Sequence, residues 1–135
     1  MRRAAPDDIP ELVEMGRKYH TLMQPEWELS EAGLAQTLAV LMDSGYVMRT
    51  EAGFIVGVIQ PNPIAVNWLV ASELLWWAED GNGHKLRRGF RDWAKERAAS
   101  EIRWSCPPEN ERVRRHYAKF AEESEIIYSE YLTCA

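Results

Sequence analysis

A chain of 135 residues, 46% hydrophobic and 27% charged, is long enough to bury one core and reads as a single globular domain over residues 1–135. Its net charge of −5 argues against binding nucleic acid through the whole surface. No apolar run is long enough to span a membrane and no signal-peptide apolar region opens the chain, so a soluble cytoplasmic protein is expected.

Met1 to Ala5 suits a short edge strand. Pro6-Asp7-Asp8 then opens a helix, because proline fits the first helical position and carboxylates favour the positive end of the dipole. Ile9, Leu12, Val13 and Gly16 keep one face apolar to about Met23, where Gln24-Pro25-Glu26-Trp27 breaks the pattern. A second helix starts with Ser30 as N-cap, buries Leu34, Leu38, Leu41 and Met42, and stops at Ser44-Gly45. Tyr46–Thr50 and Phe54–Ile59 are β-rich runs joined by Glu51-Ala52-Gly53, a hairpin signal. Gln60-Pro61-Asn62-Pro63 reads as a loop. Val66–Ala78 reads as a long central strand, apolar on both faces except at Asn67, Ser72 and Glu73, which calls for helices on both sides of the sheet. After a third helix from about Gly83 to Ala99 come a strand at Glu101–Cys106, a Pro107-Pro108 loop, a fourth helix at Glu109–Glu122 and a last strand at Glu125–Thr133. The order βααβββαβαβ describes an α/β fold with a mixed, mainly antiparallel sheet and helices on both faces.

The stretch from Glu73 to Ala98 organises the rest. An aromatic strand end runs into Gly81-Asn82-Gly83 and then into an amphipathic helix. Leu86, Phe90, Trp93 and Ala94, with Ala98 beyond, form its apolar face, and Lys85, Arg87, Arg88, Arg91 and Lys95 lie around it. Glycines and a helix N-terminus after a strand can cradle an anion, although a lone Gly-x-Gly more often only reverses the chain. The three histidines, His20, His84 and His116, have no metal-ligand spacing. Cys106 and Cys134 form no close-spaced motif and fit free thiols of a reducing compartment.

These residues, in this order, resemble the GNAT superfamily of acyl-CoA-dependent N-acyltransferases. Arg3-Ala4-x-x-Asp7-Asp8-Ile9 resembles the family's opening strand and first helix, and Gly57 after Phe54-Ile55-Val56 the end of its third strand. Gly81-x-Gly83-x-x-Leu86 with Trp93-Ala94 is similar to its acyl-CoA loop and helix. Asn110-x-x-Val113-x-x-His116-Tyr117 is similar to its Asn-x-x-Ala-x-x-Leu-Tyr stretch. Glu73-Leu74-Leu75-Trp76-Trp77, paired with a Trp-Ala helix, is similar to members found in phages and prophages. Two features depart from the family pattern. Ala78 stands where Arg or Gln is usual, in a short loop that carries Glu79 and Asp80, and Ala121-Glu122 replaces the Gly-Phe that follows the tyrosine.

The resemblance implies an N-acetyltransferase that moves an acetyl group from acetyl-CoA, its co-substrate, to a primary amine by direct attack. It implies Glu73 as base, since burial raises a carboxylate's pKa toward neutrality, and Tyr117 as acid for the leaving thiolate. It implies cofactor contacts from Leu75, Trp76, Trp77, Gly81, Asn82, Gly83, His84, Lys85, Arg88 and Asn110. On residue type alone, Glu73 could equally be a paired or solvated strand glutamate, Tyr117 a packed amphipathic tyrosine and the basic residues a solvated helix face. Asn110 also suits a helix cap. Trp76 and Trp77, as strand neighbours, point to opposite faces, so at least one belongs to the core. The partners implied are a small-molecule or peptide amine, with a homodimer or a host-protein partner open. The rival reading is a GNAT-fold protein-binding module without catalysis, of phage origin.

Overall fold

In the computed structural model, residues 1–132 are described, and two compact units emerge, Met1–Arg103 and a second from Trp104 onward. The first carries a five-stranded sheet in the spatial order β1-β2-β3-β4-β5, formed by Arg2–Arg3, Tyr46–Arg49, Gly53–Pro61, Leu69–Ala78 and Glu101–Arg103. Neighbours are antiparallel except β4 and β5, which are parallel and joined by a helical crossover. The helices of this unit are α1 (Ile9–Met23), α2 (Glu31–Ser44) and α3 (Gly83–Glu96). The architecture is therefore the expected α/β arrangement, with a mixed, mainly antiparallel sheet.

Local chemistry explains the starts and stops. Pro6–Asp8 forms a 3-10 turn ahead of α1, a small correction to a helix opening at Pro6. Ser30 caps α2 by accepting the Gly33 N–H at 3.0 Å, as its position predicts. α1 ends with Gln24 in the left-handed region (φ 45°), a conformation with a steric cost for any side chain.

Alternation along the strands sorts the core into two layers. Phe54 and Val56 face α1 and α2, where Leu12, Val13, Met15, Leu38, Leu41 and Val47 complete a buried cluster. On the opposite face α3 buries Leu86, Phe90, Trp93 and Ala94. Tyr46, Phe90 and Trp93 form an aromatic triangle there, with ring centroids 4.9 to 5.6 Å apart. Burial pushes the Tyr46 phenol up to about 12.

Charged groups close the edge of the sheet beside β1. The Asp8 carboxylate takes two hydrogen bonds from Arg2, both at 2.7 Å, one from the Ala5 N–H and one from Arg49 at 2.8 Å. The Arg49 side chain, 6% exposed, also reaches Glu11. One buried guanidinium thereby fastens the start of α1 to the end of β2.

Several boundaries depart from the sequence reading. β3 runs on through Gln60 to Pro61, because Pro61 pairs with Leu69 at the end of the ladder, where a missing N–H is tolerated. β4 starts at Leu69, and Ile64, Val66 and Trp68 lie exposed in the preceding turn. Nor is β4 buried on both faces throughout: Leu74 and Ala78 are exposed, and Leu75 to Trp77 half-buried. α3 stops at Glu96, and Ala98, with φ of 59°, is exposed beyond its apolar face. β5 ends at Arg103, short of Cys106. In the second unit the fourth helix, α4, is only Glu111–Tyr117, and Glu125 to Leu132 form no strand. Tertiary pairing decides whether a β-prone run becomes a strand, and no ladder is present over these residues. Thr133 and Cys134 lie outside the described residues.

Gly57 makes a contact that is testable by stability. A Cβ on Gly57 would sit 2.1 Å from Phe90 Cε2 and 2.9 Å from the Ser72 carbonyl oxygen. Gly57→Ala should therefore lower stability by about 1–3 kcal/mol, read as a shift in the urea midpoint. In a double-mutant cycle with Phe90→Leu the two effects should be non-additive. An unchanged midpoint for Gly57→Ala would show that α3 and β3 do not approach this closely.

Candidate functional site

The β3–β4 ladder runs from Gly53↔Ala78 to Pro61↔Leu69 with one irregularity. Val56 pairs with Leu75 but Gly57 pairs with Glu73, so Leu74 is an extra residue on β4, a bulge. Bulges concentrate beside functional sites because they re-aim side chains and interrupt pairing. Leu74 is exposed, whereas Glu73, opposite Gly57, is only 8% exposed. A carboxylate this far from water is unusual unless it is engaged. Its charge reaches Tyr19 of α1, whose phenol is raised first by burial and then by Glu73.

β5 accompanies β4 only from Val70 to Ser72. Beyond Ser72 the outer edge of β4 has no strand partner among the described residues of this unit, so Glu73 stands where the parallel pairing stops. This stretch of β4 leads straight to the glycine turn.

The turn is pinned by Asp80. Its carboxylate accepts the Thr50 hydroxyl at 2.7 Å and the Ala52 N–H at 3.0 Å, both from the β2–β3 hairpin. The same carboxylate accepts the Asn82 N–H at 3.0 Å, an Asx-type turn. Those three donors, the Thr50 hydroxyl foremost, hold the Asp80 carboxyl well below the usual carboxylate range. Gly81 has φ of +75°, which explains the glycine there. Glu79 pairs with Lys18 of α1 at 3.0 Å. The two acids of this loop are thus tied into the fold rather than loose beside the turn. Sequence reading missed the role of Asp80, although an aspartate two residues before Asn82 is the spacing of an Asx-turn.

The remaining residues fall into place around this turn. Asn82 precedes α3 without a side-chain cap, so the N–H groups of Gly83 and His84 are left over by the helix. His84, Lys85 and Arg88 are exposed along its first two turns, and Arg87 is half-buried. Trp76 lies on the α3 side, where a Cβ on Gly83 would be 3.7 Å from its indole nitrogen. Leu75 and Trp77 point the other way and pack against the α1–α2 core. The two tryptophans thus do face opposite sides of the sheet. Beside Trp77, a groove of about 490 Å³ is lined by Lys18, Thr21, Leu22 and Glu79 among others.

The last two residues singled out belong to the second unit. Asn110 caps α4, its side-chain oxygen accepting the Val113 N–H at 3.2 Å. Tyr117, half-buried, donates its hydroxyl to the Ser105 carbonyl at 3.2 Å and packs with Trp104 and Phe120. Among the described residues no cluster of histidine, cysteine or acidic groups could hold a metal ion. Nor is any described helix long and apolar enough to cross a membrane.

Comparison with known proteins identifies the fold. No family model matches the sequence, and no curated protein matches it either. Solved structures do match over nearly the whole chain. A ribosomal-protein-alanine N-acetyltransferase from Brucella melitensis is similar at 17% identity and TM-score 0.68, covering 98% of this chain and 96% of its own. A protein of Clostridium difficile described as a possible acetyltransferase matches at 13% identity and TM-score 0.76, covering 99% and 97%. A third, from Clostridium acetobutylicum, is described as a predicted acetyltransferase with acetyl-CoA. It matches at 15% identity and TM-score 0.73, covering 96% and 93%. The fold is that of the GNAT acetyltransferases.

The two aspartate clusters make stability depend on pH in a defined window. Asp8, held down chiefly by Arg2, and Asp80 both have folded pKa values below their unfolded ones. Their stabilisation is complete above the unfolded-chain pKa of about 4 and is lost as pH falls below it. The thermal midpoint should accordingly drop below about pH 4. Asp80→Asn should lower stability at neutral pH and flatten the acid slope. An acid slope identical to that of the unsubstituted chain would remove Asp80 from this role.

Proposed function

We propose that the chain is an acetyl-CoA-dependent N-acetyltransferase acting on a primary amine, within one acyltransferase domain over residues 1–135. The observation that carries the reading is the placement of Glu73. It is a buried carboxylate at a bulge, where the ladder to β5 ends and the strand runs into a turn with unused helix N–H groups. The fold shared with acetyltransferases, one of them solved with acetyl-CoA, supports it.

The residues present fit acetyl-CoA. Past Ser72, where the ladder to β5 has ended, β4 offers backbone groups at Leu75 and Trp77 to an extended arm, and the indole of Trp76 flanks the entry to the turn. Gly81, Gly83 and His84 offer backbone N–H groups to phosphate, and Lys85 and Arg88 supply positive charge beside them. Asn82 serves through its place at the helix start, and Asn110 holds α4 in form. Acetyl-CoA supplies an activated thioester. Glu73 takes the proton from the attacking amine, a role that suits a desolvated carboxylate, and Tyr117 gives a proton to the departing sulfur.

The alternative is a non-catalytic protein-binding module. One observation favours it: Asn82 gives its N–H to Asp80, so the turn has one donor fewer for phosphate, and Ala78 offers no side chain there. A phage setting for such a module rests only on the Trp-Trp likeness.

Thermal melts with acetyl-CoA separate the two readings. At about 100 times its dissociation constant, acetyl-CoA should stabilise the protein by about 2.7 kcal/mol. No shift at millimolar acetyl-CoA and low salt would favour the binding module. Once an amine acceptor is in hand, Glu73→Gln should lower turnover by about 10²-fold or more and abolish the rise in rate with pH on the acid side. Tyr117→Phe should lower turnover while leaving the acetyl-CoA melt shift intact. Full activity in both variants would remove them from the mechanism.

A further inference from the structure

The side of α3 turned away from the sheet carries a single row of basic groups. His84, Arg88, Arg91 and Lys95 follow at helical spacing, all within an arc of about 60° around the axis. All four are exposed, and no ion pair or hydrogen bond ties their side chains to another described residue. Asp92 and Glu96 stand on an adjacent row and leave this one uninterrupted. α3 holds five of the sixteen Lys and Arg of the chain but two of its twenty-one acids, so positive charge is concentrated here in an otherwise acidic protein. Arg91 and Lys95 lie about 12 and 18 Å along the axis from Gly83, well past the first turn whose N–H groups face a phosphate. The turn at the head of the row is, in addition, short of donors for a pyrophosphate. Asp80 takes the Asn82 N–H, and Ala78 has no polar side chain.

We propose that Arg88, Arg91 and Lys95 dock an acidic helix of a carrier protein, which presents the acetyl group on a phosphopantetheine arm at the glycine turn. A phosphopantetheine joined to a protein serine has one phosphodiester where acetyl-CoA has a pyrophosphate, so it asks less of the turn. The carboxylates of the carrier supply the remaining attraction along the row, where charge complementarity sets orientation and speeds encounter. A nucleic acid is the poorer match, because its phosphates continue past the row onto an acidic protein, whereas an acidic helix ends. The chemistry balances as with acetyl-CoA: the amine nitrogen bonds to the acetyl carbon, the C–S bond breaks, and the sulfur takes a proton and stays on the carrier as a thiol. This names the donor class for the acetyltransferase reading and rests on it, but docking along the row is measured separately from acetyl-CoA binding.

The test measures fluorescence anisotropy of a labelled acidic acyl carrier protein, with an acetylated phosphopantetheine arm and without the arm, against the full chain. Both forms should bind at low salt and weaken as salt rises, the acetylated form more tightly. Arg91→Glu with Lys95→Glu should weaken binding of both forms about 10-fold or more, while the acetyl-CoA melt shift of this variant matches that of the unsubstituted chain. No carrier binding at low salt beside an intact acetyl-CoA melt shift would overturn the inference and leave the acetyltransferase reading standing. Carrier affinity unchanged in the double variant would also overturn it, as would equal affinity of the two carrier forms. Displacement of the carrier by a short single-stranded oligonucleotide at equal concentration would assign the row to nucleic acid instead. Tighter binding of the acetylated form with no acetyl-CoA melt shift would uphold the carrier and count against free acetyl-CoA as donor.

Discussion

The ladder between β3 and β4 is the constraint on which the rest depends. It is the longest pairing in the sheet, and every other feature is registered against it. The bulge at Leu74 displaces the register by one residue, which sets Glu73 opposite Gly57. Gly57 in turn is where Phe90 of α3 comes down onto the sheet. A single interruption of one ladder therefore fixes a buried acid on β4 and the seating of the helix that follows it. Because side chains alternate along a strand, a slip of one residue would exchange the Trp76 and Trp77 faces and destroy both core layers at once.

Two carboxylates secure this frame. Asp8 collects Arg2, Arg49 and the Ala5 N–H at the β1 edge, and Asp80 collects Thr50, Ala52 and Asn82 at the other side of the hairpin. Both are local solutions to the same problem: backbone and side-chain donors near chain reversals need an acceptor, and an ionised carboxylate offers several lone pairs at once. Asp80 couples the fold to the site most directly, since the same carboxylate closes the hairpin and shapes the turn before α3. Its charge is neutralised by donors, so it opposes a bound anion less than an exposed aspartate would, yet it also takes one N–H away from that anion.

The arrangement of β4 separates its work into halves. Val70 to Ser72 are held between β3 and β5 and act as scaffold, while past Ser72 the ladder to β5 stops and the ladder to β3 continues to Ala78. A rigid strand that loses one neighbour midway presents backbone groups in fixed positions, and a functional site benefits from such rigidity. The basic first turns of α3 extend the same surface. The site thus combines a rigid edge, a glycine turn and a buried acid, three features that the order of elements brings onto consecutive residues.

Much of the fold was legible in the residues themselves. Periodicity set α1, α2 and α3 because their buried stripes repeat at helical spacing, and the Ser30 and Asn110 caps followed from side chains that can accept a helix N–H. Glu73 stood out because an acid inside an apolar strand carries a desolvation cost. Other features are relations between distant segments and have no local signature. The bulge at Leu74 exists only through pairing with Val56 and Gly57, and the pinning of Asp80 needs Thr50 and Ala52, which lie 30 and 28 residues away. The β-prone run from Glu125 failed as a strand for the same reason, since propensity supplies a strand's preference but only a neighbouring edge supplies its hydrogen bonds. Composition and spacing determined which groups this chain has for chemistry, and the tertiary pairing of β4 alone decided which of them meet.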